Sequence, residues 1–484
     1  MSTIKDLEPK ELWNNFYSLT QCPRPSKHEE IVREMLVNFA KEHKLECEVD
    51  EIGNIIMRKP ATPGMENRRG VILQAHVDMV PQKNNDKVHD FEKDPIETRI
   101  IDGWVWANGT TLGADDGIGA AAAMTVMASD TIQHGPIEAL FTIDEETGMT
   151  GANHLKPGVM KGDLLLNMDS ETEGELYVGC AGGVDATMHI PTMYEAMPSG
   201  YCTYKLTLGG LKGGHSGMEI NLGRGNANKL MFRMLRWVAQ YGIRLVEVEG
   251  GNMRNAIPRE AHAVIAIPEA KKECVLGEFD KVFGWMQAEL SAVEPEFTMK
   301  HEAVENATRV MNNDSTQRVI NTVMAVPNGV QRMSNAMEGL VETSLNIAIT
   351  QTCGSEFLIK ALLRSSVDTA KDALAQRLVC LSELAGGMCE LTGAYPGWKP
   401  NMESPLLKAM QESYKKLFNT DAKVMAIHAG LECGLMGGIY PNWDMISFGP
   451  TIMSPHSPME RVNIETVQKF YKFLVEVLKT VPEK

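Results

Sequence analysis

The chain has 484 residues, beyond the roughly 250–300 over which a single hydrophobic core keeps growing, so two domains are expected. Against 47 basic residues stand 63 acidic ones, a formal charge of −16 that repels polyphosphate and excludes nucleic acid and anionic membranes as partners. No stretch approaches the ~20 apolar residues that cross a bilayer, and Met1-Ser2-Thr3-Ile4-Lys5-Asp6 has no signal-like pattern. The 9 cysteines lack CxxC spacing and fit reduced thiols, so a cytoplasmic protein is expected.

Helices are expected over residues 8–19 and 26–43, the second opened by a capping box in which Glu29 reaches back to Ser26. His28-Glu29-Glu30-Ile31-Val32 lacks the second histidine of HExxH and cannot set two imidazoles on one helical face. Strands over residues 45–50 and 54–58 precede the apolar run Val71-Ile72-Leu73-Gln74-Ala75-His76-Val77-Asp78, a buried strand ending in His-x-Asp. Side chains two apart on an extended segment share a face, so Asp78 can hold one tautomer of His76. Alone, His76 reads more readily as a structural histidine than as a ligand.

Gly113-Ala114-Asp115-Asp116-Gly117 leads into a small-residue helix over 120–128, where the two acids are either helix caps or metal ligands. A strand over 138–143 runs into Asp144-Glu145-Glu146, and another over 164–168 into Asp169-Ser170-Glu171. Ligands in open α/β sheets bind beyond the carboxyl ends of the strands, so His76, Glu145, Glu146 and Asp169 should converge at one edge, with Asp115 nearby. Carboxylates packed together without a cation repel at a cost of many kcal/mol, and two divalent metals resolve this better than one.

The character changes near Ala186. Strands over 202–208, 261–267, 340–350 and 357–364, with helices over 226–241, 271–290, 315–325 and 369–385, outline an inserted α+β domain that carries Gly213-Gly214-His215-Ser216-Gly217. From about Tyr395 the pattern returns to α/β: a helix over 404–418, the loop His428-Ala429-Gly430-Leu431-Glu432-Cys433-Gly434, and a strand over 444–448 leading to a second imidazole, His456. His428 and Glu432 read as substrate-pocket residues, His428 equally well as a structural one. No P-loop and no GxSxG elbow is present.

With these residues assembled, the chain resembles the co-catalytic dizinc peptidases, a family that includes carnosinases, aminoacylases and tripeptidase. The stretches Gln74 to Lys83, Arg254 to Arg259, His428 to Gly434 and Gly449 to Pro458 narrow the resemblance to bacterial members that cleave dipeptides ending in histidine. It implies an α/β fold of two domains: a dizinc peptidase-type catalytic domain over 1–186 and 394–484, and an inserted α+β lid and dimerisation domain over 187–393. It also implies two divalent ions, zinc first with cobalt or manganese as substitutes. Asp115 would bridge them, His76 and Asp169 would complete one site, and Glu146 and His456 the other. Asp116 stands where close relatives have Asn, which keeps it as a fallback bridge.

The resemblance further implies Glu145 as general base for a metal-bridged water, Asp78 behind His76, and His215 as an oxyanion donor, across a homodimer into the partner's site. Asn255 and Arg364 would hold the substrate, Arg364 by its carboxylate. The implied activity is hydrolysis of dipeptides, foremost Xaa-His such as β-alanyl-histidine. The alternatives are an N-acyl-amino-acid deacylase of the same family and a non-catalytic dimeric metal-binding protein.

Overall fold

The computed structural model describes residues 3–484. The chain divides into two compact units: one is built from residues 1–179, 400–426 and 431–484, the other from 180–399 and 427–430. The divisions at 179/180 and 399/400 lie outside the expected 186/187 and 393/394. The reason is the strand Gly182–Pro191, which pairs along Glu356–Ser365 and Met388–Tyr395 and so belongs wholly to the second unit's sheet. Neither Gly182–Pro191 nor Met388–Tyr395 stands out in the sequence. The first opens on paired glycines, and the second is a largely exposed strand at the sheet's edge with no apolar alternation to mark it.

The first unit is an eight-stranded sheet in the order Glu46–Val49, Ile55–Lys59, Ile137–Thr142, Val71–His76, Leu164–Asn167, Asp444–Ser447, Glu175–Cys180, Lys423–Ile427. Ile137–Thr142, Val71–His76, Leu164–Asn167 and Asp444–Ser447 run parallel to one another, and the first three are buried throughout. Their near-continuous apolar sequences are what a sheet covered on both faces requires. Helix Ala114–Ala128 is buried almost along its whole length, which its alanines and glycines permit by leaving room for close approach. Among the described residues no helix is long and apolar enough to cross a membrane.

The capping box expected at Ser26 does not form. Lys27 adopts a positive φ of 71°, the helix begins at Glu30, and Glu29 accepts instead from the Lys27 and Asp144 N–H groups at 2.8 and 3.1 Å. Ser26 is thereby free to donate to Asp78 Oδ2 at 2.7 Å. A tertiary contact has displaced a local one.

The second unit is a nine-stranded sheet with every strand pair antiparallel, in the order Thr298–Ala303, Tyr201–Gly209, Ala261–Pro268, Arg244–Gly250, Val341–Cys353, Glu356–Ser365, Gly182–Pro191, Met388–Tyr395, with Gly329–Met333 beside Val341–Cys353. Helices Ala227–Val238, Lys272–Leu290, Asn313–Ala325 and Asp368–Leu384 contribute to its core, among them Phe232, Phe279, Val319 and Leu378.

Candidate metal centre and a second polar cluster

The parallel strands of the first unit deliver their following residues to one sheet edge. Val71–His76 ends on His76, Ile137–Thr142 leads to Glu145 and Glu146, Leu164–Asn167 to Asp169, and Asp444–Ser447 to the loop of His456. His76 Nε2 lies 3.1 Å from Asp115 Oδ1 and 3.3 Å from Asp169 Oδ1. His456 Nε2 lies 3.2 Å from Asp115 Oδ2 and 3.0 Å from Glu146 Oε2. The two oxygens of Asp115 therefore face two separate imidazole–carboxylate sets, and a further set brings His76, Glu145 and Glu146 together.

The acids at 115 and 116 part company. Both have non-helical backbone, and Asp116 Oδ1 accepts from Gly119 N–H at 3.1 Å in the manner of a cap while Asp115 faces the imidazoles. Behind His76, Nδ1 lies 3.3 Å from Asp78 Oδ1, a carboxylate whose charge favours a proton on Nδ1 and so leaves Nε2 toward Asp115 and Asp169. Asp78 also accepts from the N–H groups of Glu145 at 3.0 Å and Glu146 at 3.2 Å, so one carboxylate orients a ligand and the turn beside it.

Electrostatics expose the strain of this crowding. Burial pushes the Asp169 carboxyl well above the usual carboxylate range, and burial together with Glu432, Glu146 and Asp115 pushes Glu145 up to about 8 against the pull of His76. Hydrogen bonds to Asp115 and Glu146 hold His456 protonated up to about 11. Burial also raises Asp78, but His76, Ser26 and the Glu145 N–H hold it down to about 2.

The donor set fits a divalent ion. Imidazole nitrogen and carboxylate oxygens at 3.0–3.3 Å from one another come close to the edge of ~3.4 Å of a tetrahedron with ligands about 2.0–2.1 Å from its centre.

The second unit holds a different cluster. His215 sits on the two-stranded ladder that pairs Gly214 with Ile257 and His215 with Ala256, and Ser216 N–H donates to the Asn255 carbonyl at 2.9 Å. His215 and Asn255 are thus brought together by backbone. His215 Nδ1 accepts from the N–H groups of Gly217 at 3.2 Å and Met218 at 3.0 Å, which leaves the proton of the neutral ring on Nε2. Burial and the Arg364 guanidinium lower its pKa and keep the ring neutral.

Arg364, 5% exposed on Glu356–Ser365, donates to Tyr395 Oη at 3.1 Å and has no carboxylate partner among the described residues; its Nε has no hydrogen-bond partner. His428 is buried with Nε2 2.7 Å from Ser344 Oγ, and burial, Arg364 and His215 press it down to about 3. That is the structural reading of His428. Glu432 is likewise buried, in the first unit, accepting from Gln74 Nε2 at 2.6 Å and Thr142 Oγ1 at 3.0 Å, two residues before His76 and near the end of the neighbouring strand.

Comparison with known proteins decides the family. The model of peptidase family M20/M25/M40 matches residues 72–480. The chain belongs to this family. It is a metallopeptidase of the M20 type, and its ligand candidates all lie within the matched span. It is 47% identical to the cytosol non-specific dipeptidase of Escherichia coli (strain K12), over 100% of both chains. The crystal structure of aminoacylhistidine dipeptidase from Vibrio alginolyticus superposes with a TM-score of 0.97 at 48% identity, covering 100% of this chain and 99% of that one. A tripeptidase from Staphylococcus aureus shares the fold at 16% identity and a TM-score of 0.55, covering 98% of each chain.

Sequence reasoning missed Arg24, Ser26 and Glu460. Arg24 and Ser26 reach the site from the segment before the second helix, which no motif marks. Glu460 had a signal: it follows His456 by four residues, in the same loop.

Proposed function

We propose that this M20 peptidase hydrolyses dipeptides, with Xaa-His such as β-alanyl-histidine prominent in a wider range, using two divalent ions, zinc foremost. The observation that carries this reading is the Asp115 carboxylate, whose two oxygens face His76 with Asp169 on one side and His456 with Glu146 on the other. The names of the full-length relatives, a non-specific dipeptidase of the cytosol and an aminoacylhistidine dipeptidase, support the substrate class and a cytoplasmic location.

His76, Asp115 and Asp169 would hold one ion and Asp115, Glu146 and His456 the other, with Asp78 keeping His76 in its ligating tautomer. When bound there, two such ions would supply Lewis acidity toward the peptide carbonyl and lower the pKa of water toward neutrality. Glu145, whose proton affinity burial has already raised, takes the proton from that water and returns it to the leaving amine. His215, with its proton on Nε2, is the donor for the charge that develops on the carbonyl oxygen, acting in the partner subunit's site of a homodimer.

A dipeptidase must read a free C-terminus, and Arg364 offers a buried guanidinium with no carboxylate partner among the described residues. Asn255 holds the substrate beside it. The second unit, expected over 187–393 and observed over 180–399 and 427–430, acts as lid and dimer element.

The test is a panel of dipeptides, their C-terminal amides and N-acyl-amino acids, assayed after chelation and reloading with zinc, cobalt or manganese. Chelation should abolish activity reversibly, Xaa-His should be cleaved, and the amides should be poor substrates. Faster turnover of acyl-amino acids than of any dipeptide would replace this reading with the deacylase.

A further inference from the structure

Glu460 has a pattern of contacts that the chemistry above leaves unused. It is 2% exposed, and both of its oxygens accept from consecutive backbone N–H groups: Oε2 from Leu112 at 2.7 Å and Gly113 at 3.1 Å, Oε1 from Ala114 at 2.7 Å and Asp115 at 3.4 Å. Residues 112–115 form the turn that enters helix Ala114–Ala128 and presents Asp115. Arg24, also buried, grips the same turn by its carbonyls. Its Nη2 donates to Gly113 O at 2.5 Å while its Nη1 donates to Val77 O at 2.9 Å and Asp78 O at 3.0 Å.

Little slack remains in this arrangement. Gly113 has φ of 69°, and a Cβ at either Gly113 or Gly117 would come within 2.6 Å of Arg24 Nη2. Glu460 is also the last residue before the strand Arg461–Asn463, which pairs with Trp104–Ala107. The loop that carries His456 is therefore tied at its far end to the turn that carries Asp115.

We propose that Glu460 is a positioning residue: it fixes the Asp115 carboxylate midway between His76 and His456, and the affinity for both divalent ions depends on it. This rests on the dinuclear reading of the site. A carboxylate that serves two ions has no freedom to follow either one, so the backbone beneath it must be held by other groups. Glu460 does so with a charge-assisted contact to every N–H of the turn. Displacing Asp115 weakens both ions, whereas replacing Asp169 or Glu146 removes a ligand from one.

Stepwise zinc affinities, measured by competition with a chelator on the full-length wild type, E460Q, D169N and E146Q, separate these outcomes. In E460Q the amide turns N–H groups toward the N–H groups of the turn, and both binding steps should weaken by ~10–100-fold, the usual worth of a group behind a metal ligand. D169N and E146Q should weaken mainly one step each. Circular dichroism and Tm establish that E460Q is folded, and excess zinc should restore its kcat with KM for the dipeptide unchanged. If E460Q does not fold, E460D keeps the charge with a shorter reach and is expected to weaken both steps as well. E460Q or E460D binding both ions as tightly as wild type, or weakened in one step only, overturns the inference. A wild type that holds fewer than two ions overturns the dinuclear reading, and this inference with it.

Discussion

In the first unit the carboxylates of Asp115, Glu145, Glu146 and Asp169 crowd around two imidazoles, whereas in the second unit Arg364 is buried beside His215 and His428 with no carboxylate partner among the described residues. The responses of the histidines show how different these settings are. His456 is held protonated up to about 11 by its acidic neighbours, while burial and Arg364 press His428 down to about 3. One cluster is short of positive charge and the other short of negative charge. Such imbalances are costly in an isolated protein and become favourable when a ligand of the missing sign arrives: cations for the first cluster and, on the function proposed above, an anionic group of the substrate for the second.

Within the acidic cluster, the adjacent residues Glu145 and Glu146 have separate roles on this reading. Glu145→Gln should lower kcat by roughly 10²–10⁴-fold, the usual cost of removing a general base, with metal content retained. Glu146→Gln should instead weaken metal binding. Equal metal loss in both variants, measured by elemental analysis after loading, would mean that the pair shares one role.

The second cluster should respond in the opposite way. His215→Ala is expected to lower kcat by about 10²–10³-fold, as for loss of one oxyanion donor, with both ions still bound. Mixing re-associated His215→Ala and Glu145→Gln subunits should recover activity, because one site of each heterodimer then has both wild-type groups. No recovery would confine His215 to its own chain.

The smallest effect is on stability. His428 is neutral in the fold down to about pH 3, whereas an unfolded histidine takes up its proton near pH 6.5. Its folded pKa is depressed, so the unfolded state binds more protons between about 6.5 and 3 and stability falls as pH falls through that window. His428→Gln has no such proton to bind. Relative to wild type, it should gain roughly 3 kcal/mol between pH 6.5 and pH 4, read as the difference in urea midpoints. A constant difference across that range would contradict the buried neutral imidazole.

These comparisons also mark what could be read in advance. The strands that carry His76, Glu145, Glu146 and Asp169 were legible because an apolar run bounded by polar residues is a local signal. Their parallel order follows from the fully buried faces such runs require. Helix 26–43 was legible at its end, one residue past the observed Glu42, but not in its start at Glu30, since the cap residues were drawn into contacts with Asp78 and Asp144.

By itself, then, the sequence determined the α/β character of the first unit, the set of candidate ligands at its strand ends, and an acidic net charge that disfavours polyanionic partners. Tertiary structure alone decided which of two adjacent aspartates faces the imidazoles, that His428 is spent on Ser344, and that Arg24 and Glu460 hold the turn between them. The physical reason is separation along the chain: Glu460 meets Leu112 across 348 residues and His428 meets Ser344 across 84. Periodicity reports only which face of an element is buried, and the partner waiting on that face is chosen when the whole chain has folded.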